Sequence, residues 1–200
     1  MSRAERDLAS LTVLALLRAG PRHTYEIHRM MVITHKDFVT GLPRSLYYAV
    51  DRLSRDGLIS AQKTERQGSR PERTLYELTD AGAATLEKRL RLLLATPQRD
   101  TALFVAALSF ASSLPADAVA QELELRAQRL AEAAESASAP EYLPQILQIE
   151  GEFERHRLLN ERDWVNTLVD DIRSGAIEWH DVDTLAALIP PEDDAENGNH

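Results

Sequence analysis

Apolar residues in the first half fall into short runs whose period changes along the chain. From Leu8 to Ala19 they are dense enough for a buried helix, which Gly20 and Pro21 end. His23 and Thr24 are placed to cap a second, shorter helix whose apolar face is Tyr25, Ile27, Met30 and Met31, up to a loop over 36–41. Pro43 suits the first turn of a third helix, in which Leu46, Val50 and Leu53 recur at i, i+4 and i+7 before Gly57 stops it. The stretches 58–63 and 74–78 read as two short strands joined by a polar loop, 64–73: a hairpin with a long tip. Thr79 is set to cap a fourth helix with Ala83, Leu86, Leu90 and Leu93 or Leu94 on one stripe, broken by Thr96-Pro97.

Beyond Pro97 the pattern is wholly helical and predicts segments over 103–111, 116–139 and 142–173. In the last of these Ile146, Ile149, Phe153, Trp164, Leu168 and Ile172 fall near one seam, as a helix that pairs with a second copy requires. Arg157 and Asn160 interrupt the seam, and such polar residues set register more readily than they bind a ligand. Gly151 is a soft point, and Trp164 and Trp179 read as core anchors rather than pocket walls. The acidic segment 190–200 has almost no apolar residues and is expected to be disordered.

Composition refines this picture in four ways. With 200 residues and 44% hydrophobic content the chain can build one large core or two small ones. The absence of cysteine excludes disulfides, thiol chemistry and thiolate zinc sites. The apolar run 11–17 is far shorter than the ~20 residues of a membrane span, and Glu5, Asp7 and Arg18 around it spoil a signal peptide, so a soluble cytoplasmic protein with no membrane partner is expected. The net charge of -9 is unevenly distributed. Residues 1–95 hold 16 Lys and Arg against 11 Asp and Glu, whereas the remainder holds 7 against 21. A basic module joined to an acidic one suits a DNA reader whose other half must stay off the phosphates.

Three helices followed by a hairpin, within a basic segment of this size, is the order of a winged helix-turn-helix. The fold expected is therefore mainly α with a small β-hairpin wing: a DNA-binding domain over 1–96, an α-helical domain for dimerisation and effector response over 97–189, and the tail 190–200. If Leu46, Val50 and Leu53 pack inward, Arg44, Ser45, Tyr48, Arg52 and Arg55 turn outward and can enter a major groove. An arginine fork can hold guanine or phosphate, and Tyr and Ser hydroxyls reach phosphates or base edges. Around Gly68, Ser69 and Pro71 the hairpin loop adds Arg66, Arg70 and Arg73, a basic tip for the backbone or minor groove. An arginine-bearing helix alone is more often a solvated surface; the element order and the charge asymmetry together tip the balance.

The stretches Gly20-Pro21-Arg22-His23-Thr24-Tyr25-Glu26-Ile27, Leu46-Tyr47, Arg52-Leu53, Asp56-Gly57-Leu58-Ile59 and Tyr76-Glu77-Leu78-Thr79-Asp80-Ala81-Gly82 resemble the signature stretches of PadR-type bacterial regulators. They cover roughly the first 85 residues. The family more often has Gly where Thr24 stands and Pro where Tyr48 stands. With the motif positions Thr24, Tyr25 and Tyr47 added, the candidate DNA-contacting set is Thr24, Tyr25, Arg44, Ser45, Tyr47, Tyr48, Arg52, Arg55, Arg66, Arg70 and Arg73. Resemblance to the longer members implies a twofold homodimer, repression at a palindromic operator, and release by a small apolar or aromatic effector. The candidate dimer interface is Ile146, Ile149, Phe153, Arg157, Asn160, Trp164, Leu168 and Ile172.

No phosphate-binding glycine loop, nucleophile elbow or two-histidine metal helix appears, so no catalytic, metal or cofactor site is assigned. Glu152 and His156 stand one helical turn apart, and a surface ion pair explains them better than a metal. His28 and His35 are separated by a predicted helix end and have no third ligand nearby. The competing class is a winged helix that only contacts other proteins, which has no use for Arg44, Arg52, Arg66 and Arg70 on one side.

Overall fold

The computed structural model describes residues 8–33, 44–65, 73–137 and 142–181. Helix α1 (Leu8–Arg18) is buried on nearly every side and forms the hub of the first half. It ends at Gly20, whose φ of 122° is open only to a residue without a β-carbon. The two-residue strand β1 (Arg22–His23) leads into α2 (Thr24–Ile33). At this junction the His23 N–H donates to the Glu26 carboxylate at 2.7 Å, half of a capping box. Helix α3 (Arg44–Arg55) follows, then strands β2 (Ile59–Glu65) and β3 (Arg73–Leu78).

The sheet has three antiparallel strands in the order β1-β3-β2, with Arg22 opposite Tyr76 and Ile59 opposite Leu78. The hairpin was legible in the alternation of residues; β1 was not, because two residues carry no period. Leu46, Val50 and Leu53 of α3 are buried as their spacing predicts, packed with Leu11, Leu14 and Ile27 in one core. The tip of the hairpin, with Arg66 and Arg70, lies outside the described residues, as does the tail 190–200.

Helix α4 (Asp80–Ala95) is fixed at its start by Thr79, whose side chain accepts from the Gly82 N–H at 3.0 Å and donates to the carbonyls of Gly57 and Leu58. Gly82 is required here: a β-carbon on it would overlap the Leu58 carbonyl and come within 2.8 Å of Leu78 Cδ1.

The second half is α5 (Ala102–Ser109), a 3-10 turn (Ala111–Ser113), α6 (Ala116–Ser136), a 3-10 turn (Gln145–Leu147) and α7 (Ile149–Ser174). Helix α4 bridges the halves, packing on both α1 and α6. Helices α6 and α7 pack along one another through Val119, Leu123, Ala127 and Leu130 on one side and Leu158, Val165, Val169 and Ile172 on the other. Gly151 interrupts nothing in α7. Gly175, with φ of 76°, closes α7 and turns the chain back so that Trp179 reaches the Leu114 carbonyl at 3.2 Å. None of the described helices is long and apolar enough to cross a membrane.

Candidate nucleic-acid interface

Helix α3 presents two opposite faces. Leu46, Ala49, Val50 and Leu53 are sealed in the core, while Tyr47, Tyr48, Asp51 and Arg55 stand at the surface, Tyr48 at 69% exposure. Positions 44, 47, 48, 51 and 55 follow the i, i+3, i+4, i+7, i+11 rhythm of one helix face. Arg44 and Ser45 open the helix and Arg73 opens β3; the side chains of all three lie outside those described. Tyr25 is exposed in the first turn of α2 beside the half-buried Thr24.

Two residues alter the face drawn from spacing alone. Arg52 does not stand outward with Tyr48: it is half-buried and its guanidinium donates to the Ser10 hydroxyl of α1. Each four-residue step advances about 40° around the helix, which carries position 52 off the exposed strip and over α1. Asp51, absent from the sequence-derived set, occupies the strip instead and pairs with Arg55 at 2.8 Å. Its i,i+4 spacing to Arg55 was the available signal. This pair is solvated and weak in itself, but it holds the Arg55 guanidinium along the helix and sets a carboxylate among the groups a base edge would meet.

Helix α7 also departs from its predicted seam. The helix predicted over 142–173 begins only at Ile149, with Ile146 in the 3-10 turn before it; Ile146, Ile149, Phe153 and Trp164 are exposed, Phe153 at 70%, and Asn160 lies on the same strip as Phe153. Ile172 is instead buried and Leu168 partly buried in their own chain. A seam drawn over 146–172 drifts around a helix of 3.6 residues per turn, so its two ends face different neighbours. Arg157 is engaged on α7 itself: it holds Glu154 at 2.7 Å, keeps that carboxyl below its ordinary range, and reaches Glu161 at 3.5 Å. Glu152 and His156 are exposed. Trp164 and Trp179 line a cavity of about 460 Å³ between α5, α6 and α7, not a closed core.

The two halves meet at Arg126, which sequence reasoning missed because an arginine on an amphipathic helix reads as surface. It is fully buried on α6. Its guanidinium binds Glu161 at 2.5 and 2.8 Å and the Thr96 carbonyl at 3.0 Å, with the Leu93 and Leu94 carbonyls at 3.4 and 3.5 Å. Its flat face lies 3.6 Å from the centre of the Phe104 ring. Burial pushes the guanidinium pKa down and Glu161 pulls it back up. Arg129 adds a 2.7 Å bond to the Ala95 carbonyl. Two cations thus satisfy the carbonyls left over at the end of α4, where the helix dipole is negative.

Three helices around α1, a reading-type α3 with one sealed and one open face, and a hairpin packed beside it define a winged helix-turn-helix domain. Residues 13–88 match the model of the transcriptional regulator PadR-like family, so this segment is similar to the DNA-binding domain of PadR-type transcriptional regulators. Among solved structures, Bacillus subtilis PadR in complex with operator DNA is similar at 20% identity over 82% of this chain and 98% of that one, with a TM-score of 0.41. The protein smu.1604c from Streptococcus mutans UA159 is similar at 19% identity over 84% and 97%, with a TM-score of 0.39. Bacillus subtilis PadR in complex with p-coumaric acid is similar at 17% identity over 83% and 99%, with a TM-score of 0.35. No curated protein sequence matches the chain.

Proposed function

We propose that the protein is a homodimeric repressor that occupies a palindromic operator, with residues 1–96 on DNA and 97–189 in assembly and response. The observation that carries the reading is the open face of α3, held by a sealed face in a domain of a regulator family. In this account Arg44, Ser45, Tyr47, Tyr48 and Arg55 meet base edges or the flanking phosphates in the major groove. Thr24 and Tyr25 touch phosphates from the start of α2, and Arg66, Arg70 and Arg73 do so from the wing. Arg52 serves α3 from behind by tying it to Ser10. Work of this kind places the protein in the cytoplasm, and its chemistry is binding rather than catalysis.

The second copy covers the strip Ile146, Ile149, Phe153 and Asn160, with Trp164 at its border. A row of exposed apolar residues along α7 and the turn before it supports this role. The cavity beside Trp164 supports release by a small effector. Selection of bound duplexes from a random pool, followed by footprinting, tests the proposal. The expected result is two inverted half-sites spaced about one DNA turn, ~34 Å, or a multiple of it. A single unsymmetrical protected site would contradict the twofold arrangement.

A further inference from the structure

We propose that Asp51 is a specificity-determining residue that selects a cytosine in each half-site by accepting a hydrogen bond from its N4 amino group. The inference rests on the DNA-reading role of α3 given above and names what one position of that face reads.

Asp51 is the only acidic residue of α3, and it is exposed. At 3.6 residues per turn, positions 44, 51 and 55 fall within about 40° of one another. They lie on the side of the helix away from the buried Leu46, Ala49 and Leu53. The carboxylate is therefore carried toward the same groove as the arginines at the two ends of α3. The Arg55 guanidinium donates to its Oδ2 at 2.8 Å, which steers the carboxylate along the strip. Its Oδ1 takes no hydrogen bond from any described residue. Among phosphates a carboxylate is repelled, so it weakens binding to every duplex whose bases do not offer it a donor.

Few base edges do. An ionised carboxylate only accepts hydrogen bonds. In the major groove the donors are the N4 amino group of cytosine and the N6 amino group of adenine, whereas guanine shows N7 and O6 and thymine shows O4, all acceptors. Adenine sets its N7 lone pair beside N6, and so calls for a side chain that both donates and accepts, as that of Asn or Gln does. Cytosine has only a C–H beside N4, and a carboxylate meets no lone pair on that base. Asp51 thus favours cytosine over adenine and opposes guanine and thymine. Part of the specificity comes from rejection, because the same charge acts against every wrong sequence.

Duplexes are selected from a random pool by the full chain carrying Asp51, Asp51→Ala or Asp51→Asn, and anisotropy titrations then compare the selected duplexes with their single-base variants. The wild type should require a cytosine at one position of each half-site, with a loss of about tenfold or more when that base is replaced. Asp51→Ala should lose this preference alone and bind scrambled duplex more tightly than the wild type does. Asp51→Asn should move the preference at the same position to adenine. The same selected sequences for all three proteins, or a preference eroded equally at every position, would overturn the assignment. A wild type that selects a sequence without such a cytosine would overturn it too, while leaving the reading role of α3 intact. A wild type that selects no sequence would overturn that role, and the assignment with it.

Discussion

Gly82 lies so close to the carbonyl of Leu58 that no β-carbon fits between them. The contact joins the first turn of α4 to the turn between α3 and β2, and Thr79 reinforces it with hydrogen bonds to Gly57 and Leu58. A resemblance at the Thr79-Asp80-Ala81-Gly82 stretch thus has a mechanical basis: a cap and a close approach that position the reading helix relative to the wing. Gly82→Ala should destabilise the protein by about 2–3 kcal/mol, the cost of overpacking where backbone must move. Denaturant unfolding measures it, with Ala83→Gly as the comparison at a position free of this contact.

Arg126 couples the halves, so its loss should be felt well beyond α6. Arg126→Ala leaves the half-buried Glu161 without this cation and three carbonyls at the end of α4 without its donor, and should cost about 3–5 kcal/mol. Arg126→Met, which keeps volume and the contact with Phe104, should cost less together with Glu161→Met than alone. A double-mutant cycle in thermal unfolding checks this, and additive losses would show that the pair is not coupled.

The revised reading face separates two arginines that spacing alone had placed together. Arg55→Ala should weaken operator affinity and reduce the salt slope by about one if its guanidinium meets a phosphate. Tyr48→Ala should cost about 1–3 kcal/mol of affinity if its ring or hydroxyl meets a base. Arg52→Ala should lower folding stability by about 1 kcal/mol through the lost bond to Ser10, and operator binding only as far as α3 loosens. Loss of affinity in Arg52→Ala with unchanged stability would return Arg52 to the reading face.

For assembly, Phe153 is the residue to change, because it is exposed and stands outside its own chain's core. Phe153→Asp should weaken dimerisation by about 2 kcal/mol or more, as aromatic anchors at interfaces do. Sedimentation or light scattering across a dilution series reads this directly, and an unaltered dimer would move the interface elsewhere.

Much of the fold was legible because its period is strong. Leu46, Val50 and Leu53 announced the inward face of α3, and the alternation into Tyr76 and Leu78 announced the hairpin. Strand β1 was invisible because Arg22 and His23 become a strand only by pairing with Tyr76 and Leu75. The site was less legible than the fold. Arg52 and Arg126 carry the same side chain on amphipathic helices, yet one is drawn half inward to a hydroxyl and the other is wholly buried on carbonyls and a carboxylate. Sequence period states which way a residue points relative to its own helix; which neighbour waits there is decided by tertiary packing. The same limit split the α7 seam, where Phe153 faces out and Ile172 is buried.

Whether this chain reads a specific duplex through α3 is settled most directly by fluorescence anisotropy. The purified full chain is titrated against duplex from its own upstream region, or a sequence selected from a random pool, and against scrambled duplex at several salt concentrations. Saturable binding is expected that falls steeply with salt and exceeds scrambled duplex by about 10³ or more. No binding at low salt, or equal affinity for selected and scrambled duplex, would contradict a sequence-reading role for α3.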